Sequence, residues 1–199
     1  VKVLLINTHH RYPGWSEGGL NASLQEVARR FFQERGGHVV ETVVDKGYDP
    51  QEEERKHREA DLVILQTPVN WFSAPWTWKK YVDEVFNVAL GAGTLLSGDG
   101  RTRKDPSIPY GSGGNMQGRA FMVSSTWNAP ADAFDNDSNP VFQGRSLADA
   151  LADITATYRF CGYTVLPEFA VLDVYKNPQV EADLARYAEH LEACATRWE

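Results

Sequence analysis

Three short stretches combine residue types suited to a planar molecule that carries phosphate. Ser16-Glu17-Gly18-Gly19-Leu20-Asn21 sets a hydroxyl and two glycines where a helical pattern begins. Amides at a helix start attract anions and glycine lets the backbone approach them, so this stretch reads either as an anion cradle or as a serine cap beside a turn. Pro68-Val69-Asn70-Trp71-Phe72-Ser73-Ala74-Pro75 holds two adjacent aromatics between prolines, in a loop with no helix or strand face to explain them. They suit a flat aromatic ligand, with loop amides for its polar edge; the alternatives are packing beneath their own loop or filling a dimer interface. Thr126-Trp127-Asn128-Ala129-Pro130 repeats the combination of an aromatic with hydroxyl and amide neighbours.

Other motifs fit less well. Gly14-Trp15-Ser16-Glu17-Gly18 matches the Gly-x-Ser-x-Gly nucleophile elbow, but several residues separate it from the strand ending at Asn7, which disfavours Ser16 as a nucleophile with His190 as its base. Gly111-Ser112-Gly113-Gly114 leads to Met116 and a strand, so it fails as a dinucleotide fingerprint. His9-His10 has no acidic or cysteine companion nearby, and no metal site is expected. Arg101-Thr102-Arg103-Lys104 is either a solvated loop or a contact for nucleotide phosphates.

The elements that must position these loops follow from hydrophobic patterning. Apolar, β-branched runs over residues 1–6, 38–44, 61–66, 119–124 and 163–172 predict five strands. Helices are predicted between them. Leu20, Leu24, Val27 and Phe31 recur at helical spacing before Gly36-Gly37. Asp49-Pro50 opens a second helix, and Pro75 a third that carries Trp78, Tyr81 and Val85. Residues 146–161 and 179–197 complete the set. Such alternation requires a parallel sheet covered by helices on both faces, an α/β doubly wound fold of order 2-1-3-4-5 in one domain over residues 1–199. Long connections at about 89–118 and 127–145 are insertions into that domain. Strand order reverses between strands one and three, so ligands are expected beyond their carboxyl ends, next to the loops after Asn7 and Thr67. An anion cradle beside two aromatic, amide-rich loops describes a phosphate-bearing planar cofactor, with flavin the leading choice.

Composition narrows the setting. The 199 residues hold 20 Lys+Arg against 27 Asp+Glu, a formal charge of −7, which argues against a nucleic-acid or anionic-membrane partner. No apolar run approaches spanning length, and residues 1–6 are too short for a signal-peptide core. Cys161 and Cys194 lie far apart, so a disulfide framework or redox pair is poorly supported and a reduced, cytoplasmic protein is expected.

Gln66-Thr67-Pro68-Val69-Asn70-Trp71-Phe72, then Ala74-Pro75 and Lys79-Lys80-Tyr81-Val82-Asp83, resembles the flavodoxin-like NAD(P)H quinone reductases. Ser97-Gly98-Asp99-Gly100-Arg101-Thr102-Arg103-Lys104-Asp105-Pro106 and Tyr110-Gly111-Ser112-Gly113-Gly114 are similar to the long loop of their bacterial branch, the modulator-of-drug-activity-B proteins. Thr126-Trp127-Asn128-Ala129-Pro130 is similar to that branch's loop after strand four. The resemblance implies a flavodoxin-like five-stranded sheet and a homodimer with one FAD per active site near the subunit interface. The implied reaction is two-electron reduction of quinones by NAD(P)H, in ping-pong order through flavin N5. It further implies that Ser16, Gly18, Gly19, Leu20 and Asn21 hold the FAD phosphates. Pro68, Val69, Asn70 and Trp71, with Thr126, Trp127, Asn128 and Ala129, would line the isoalloxazine. Trp71, Phe72 and Trp127 would shape the stack, so that Trp127→Ala impairs flavin binding far more than stability. Tyr110 would complete the site, reaching into a partner's pocket, and is the candidate proton donor. The reading from a different class is a flavodoxin-type electron carrier that binds redox partners; its acidity fits, but it has no need of the long loop at 89–118.

Overall fold

Each central strand is apolar on both sides, and the period-two alternation sorts its residues to two helix layers. The structure, a computed structural model, describes residues 1–195. Strands β1 (Lys2–Asn7), β3 (Leu62–Pro68) and β4 (Ala120–Thr126) are buried almost throughout, while β2 (His38–Val43) is partly exposed at one edge. These strands pair in parallel, with Val3 opposite Leu62 and Leu62 opposite Ala120, and with β5 (Thr164–Val165) beyond β4 the order is β2-β1-β3-β4-β5 as expected. Val3, Leu5, Leu62, Ile64, Ala120 and Met122 share a core with α1 (Gly19–Glu34) and α6 (Val180–Ala195). Leu4, Ile6, Val63, Leu65, Phe121 and Val123 form the other core with α3 (Trp76–Ala92), and α2 (Pro50–Glu59) buries Glu53, Glu54 and His57 on the same side. Asp49 caps α2 through the amides of Gln51 and Glu52, both at 2.9 Å. No helix among the described residues is long and apolar enough to cross a membrane.

Two predicted elements are divided. The fifth strand is two pieces, β5 (Thr164–Val165) beside Ala120–Phe121 and β6 (Phe169–Val171) beside Ser124–Thr126, so the sheet has six strand segments. Pro167 explains the break: it lacks an N–H for the ladder and restricts Leu166 before it. The helix predicted over 146–161 is likewise α4 (Leu147–Ala150) followed by α5 (Ala152–Phe160), which packs Ile154 and Tyr158 into the second core. Strands β3 and β4 run on to Pro68 and Thr126, residues predicted to begin loops. The predicted end of the last helix at Arg197 lies outside the described residues.

The second core contains a polar knot. The Glu53 carboxylate accepts from Thr42 Oγ1, from Lys56 Nζ at 2.6 Å and from the Tyr81 hydroxyl at 2.8 Å. His57, fully buried beside it, donates Nδ1–H to the Glu53 carbonyl at 2.9 Å and accepts the Tyr158 hydroxyl at Nε2, 3.2 Å away. Burial pushes the His57 imidazole below its ordinary value, because the interior solvates the cation poorly. The unfolded chain therefore takes up this proton first as pH falls. Stability from a neutral His57 is complete above about pH 6.5 and is lost below it, by at most about 1.4 kcal/mol per pH unit. Urea unfolding at pH 7.5 and 5.5 is expected to show a smaller acid-induced loss in His57→Gln than in the wild type.

Candidate functional site

The strands turn polar where they end. Asn7 and Thr8 follow β1's apolar run, Gln66 and Thr67 close β3, and Ser124, Ser125 and Thr126 close β4, all buried at the carboxyl edge of the sheet. Their side chains tie the strand ends to the helix starts. Asn7 Nδ2 donates to Gln25 at 2.9 Å, Thr8 bonds Thr67 at 2.7 Å, and Thr77 donates to the Thr8 carbonyl at 3.0 Å. Asn21 accepts from Gln66 Nε2 at 2.8 Å and donates to Thr126 at 3.4 Å, so its side chain braces α1 against two strands.

At the start of α1, Gly18 is left-handed (φ 85°), no side chain caps the helix, and its first turn contains no acid. The serine-cap alternative is therefore not what forms, and the first-turn amides keep their partial positive charge unanswered. The preceding loop is braced from outside. His10 pairs with Asp45 at 2.6 Å, Arg11 with Glu17 at 2.5 Å, and the Gly14 amide donates to Glu17 at 2.7 Å. The Gly14 N–H, and after it Arg11, hold the Glu17 carboxyl below the usual carboxylate range. The one acid of the cradle sequence is thereby exposed to water and paired.

His9, only 9% exposed, lies under this helix start. Its Nε2–H donates to the Ser16 carbonyl at 3.1 Å and its backbone N–H to Asn7 Oδ1 at 2.9 Å. His9 Nδ1 is left buried without a partner, and so is Gln66 Oε1. Buried polar atoms are seldom orphaned, and two beside an uncapped helix fit a polar ligand that completes them. Sequence reasoning missed both residues. A polar glutamine near the end of a strand buried on both faces was the available signal for Gln66; His9 gave none beyond its place next to the strand.

The second loop is a tight turn. Asn70 N–H donates to Ser73 O at 2.8 Å, the return bond is 3.3 Å, and between them Trp71 and Phe72 both take positive φ, 50° and 71°. Left-handed backbone costs a non-glycine residue about 1–2 kcal/mol, and such strain clusters at functional sites. The turn holds Trp71 93% exposed and Phe72 57% exposed, so Trp71 does not pack beneath its own loop. Phe72 meets Phe142 edge-on at 6.1 Å, and the Ser73 hydroxyl donates to Asp153. The Val69 amide donates to the Thr126 carbonyl at 2.9 Å, joining this loop to the third.

In that third loop Asn128 is exposed and Ala129 half-buried, but Trp127 is 3% exposed. Its indole N–H donates to Ser125 Oγ at 2.9 Å and its ring lies against Phe134 and Phe142. This burial, to which Phe134 and Phe142 of the insertion at 127–145 contribute, adds a packing cost to the effect on flavin binding expected of its removal.

Tyr110 is not with the others. Its ring rests on Phe160, at the end of α5, with the Arg101 guanidinium 5.2 Å from its centroid. The same loop is tied to the start of β4, where Met116 N–H donates to Cys161 O and Thr164 N–H to Arg119 O. That is the amino edge of the sheet, a seven-residue strand or about 20 Å from the other residues. Arg101 is bonded to Asp99 at 2.6 Å. His190 contacts the Pro167 carbonyl at 3.1 Å, and the histidine bonded at Ser16 is His9, so the hydrolase pairing does not form.

Comparison with known proteins agrees with this fold. Residues 1–194 match the family described as having a flavodoxin-like fold. The chain is 42% identical over 192 residues to the NADPH:quinone oxidoreductase MdaB of Haemophilus influenzae, covering 96% of this chain and 98% of that protein. A Klebsiella pneumoniae protein assigned as a quinone reductase superposes with a TM-score of 0.77 at 24% identity, over 97% of this chain and 84% of that one. An FMN-dependent NADH-azoreductase of Bacillus anthracis, solved with FMN, gives 0.67 at 14% identity over 99% and 98%. The chain belongs to the flavodoxin-like family, among relatives of the MdaB quinone oxidoreductases.

Proposed function

We propose that this protein is a flavin-dependent NAD(P)H:quinone oxidoreductase that binds FAD and works as a homodimer in the reducing cytoplasm. The observation that carries the reading is the uncapped start of α1, with the unpartnered His9 Nδ1 and Gln66 Oε1 beside it on the sheet edge that also bears Trp71. The first-turn amides of Gly19, Leu20 and Asn21, with Ser16 and Gly18, would take the cofactor's phosphates, and His9 would complete that set. Pro68, Val69 and Asn70 on one side, and Thr126, Trp127, Asn128 and Ala129 on the other, would line the ring. The exposed rings of Trp15 and Trp76, with the half-buried rings of Tyr12 and His10 between them, continue beyond the cradle at centroid spacings of 4.9–5.5 Å, a surface suited to the adenine half that FAD has and FMN lacks.

Flavin, when bound, supplies a hydride acceptor for NAD(P)H and a two-electron donor for a quinone. The chain's part would be to hold the ring at the strand ends, with Trp71 and Phe72 bounding the space for each planar substrate. Because Tyr110 is a strand length from its own site, a proton from its hydroxyl to the reduced quinone oxygen would come from a second copy of the chain. The test is the visible spectrum of the purified protein, repeated with NADPH in the absence of oxygen. A flavin band that NADPH bleaches and a quinone restores is expected, and heat-released flavin should run as FAD. A band that NADPH leaves unchanged would favour the electron carrier, and failure to bind added FAD or FMN would overturn the reading.

A further inference from the structure

The turn that presents Trp71 and Phe72 is held by little of its own. Two backbone bonds between Asn70 and Ser73 close it, one of them 3.3 Å long, and both central residues are left-handed without being glycine. Support comes from outside the loop. Phe72 leans edge-on against Phe142, and the Ser73 hydroxyl donates to the Asp153 carboxylate. Asp153 is the second residue of α5, where the helix's N-terminal amides favour an anion. Its place depends on the break at Leu151, whose own φ and ψ of −103° and 9° separate α5 from α4, and whose side chain is buried. A continuous helix through 146–161 would carry this carboxylate elsewhere.

We propose that Asp153 is a positioning residue: it fixes the Trp71-Phe72 turn through Ser73 and thereby sets the affinity for the planar electron acceptor. The second half rests on the oxidoreductase reading above. The carboxylate touches neither cofactor nor substrate, and what it controls is the fraction of time the strained turn is closed. Releasing it lets Trp71 and Phe72 relax toward ordinary backbone, which opens the wall against which the acceptor lies.

The test pairs a structural readout with a kinetic one. Chymotrypsin cleaves after exposed aromatics when the local backbone opens, so cleavage after Trp71 and Phe72 in apoprotein, located by mass, reports the open fraction. Asp153→Ala is expected to raise that cleavage about tenfold, a population shift of about 1.4 kcal/mol. Asp153→Asn, whose amide oxygen still accepts from Ser73, should stay within about twofold of the wild type. In holoenzyme, Asp153→Ala should raise the quinone KM about fivefold while kcat changes by less than about twofold, the pattern for lost uniform binding. Wild-type cleavage in Asp153→Ala overturns the proposal, and so does faster cleavage with an unchanged quinone KM. In a wild type without NADPH-driven quinone reduction the functional reading itself would fall, and the cleavage arm would still decide whether Asp153 holds the turn.

Discussion

Gly18→Ala is expected to give a folded protein that purifies without flavin and binds added FAD at least about 100-fold more weakly, a loss of about 2.7 kcal/mol. A Cβ at this position would stand 2.4 Å from His9 Cδ2 and 2.8 Å from Nε2. The ring has no room to give, being buried and tied to the Ser16 carbonyl. Alanine would also have to adopt φ +85°, which disfavours any residue with a Cβ. The helix start must then shift away from His9, and with it the amides proposed to hold the phosphates. Gly19→Ala is the control, because its Cβ would meet nothing within 4 Å and its φ is not positive. Fluorescence titration of apoprotein with FAD measures both variants. Wild-type affinity in Gly18→Ala would remove this helix start from the cofactor site.

Trp127→Ala should be the most destabilising of the site-loop substitutions, at about 3–5 kcal/mol. The indole packs edge-on against both Phe134 and Phe142, and its N–H has a buried partner in Ser125. For a chain of this size that corresponds to a melting point lower by about 10 °C, measured on apoprotein so that lost cofactor does not contribute. Trp71→Ala should shift the melting point hardly at all, within about 0.5 kcal/mol, because its ring is in water. Its effect should fall on quinone turnover. If Trp127→Ala melted like the wild type, the packing described for the third loop would be wrong.

The contrast between these tryptophans marks where sequence stops being legible. Both stand in aromatic, amide-bearing loops just past a strand, and nothing local separates them. What buries Trp127 is Phe134 and Phe142, supplied by the insertion that follows it, and such non-local packing leaves no period to read. The strands were legible because residues such as Leu4 and Leu5 serve two cores at once and must both be apolar. The split of the fifth strand was signalled by Pro167 and Glu168 in the middle of the run, and the broken helix by nothing as plain. Tyr110's distance from the other site residues follows from connectivity, since a segment between a helix and the next strand must return to the sheet's amino edge. His9 was the largest omission, for an orphaned nitrogen exists only once Gly18 and Ser16 have closed over the ring.

The stubs β5 and β6, two and three residues long, also decide how the sheet meets other chains. A full-length outer strand would present an unbroken row of amides and carbonyls, the template from which cross-β stacking grows. Here the outer ladder is interrupted at Pro167, which has no hydrogen to offer an incoming strand. At the opposite margin, β2 exposes His38 and Glu41 along its length. The same irregularity that hides the last strand from a sequence reader therefore guards a wholly parallel, slow-pairing sheet against polymerising through its sides while the chain is still folding.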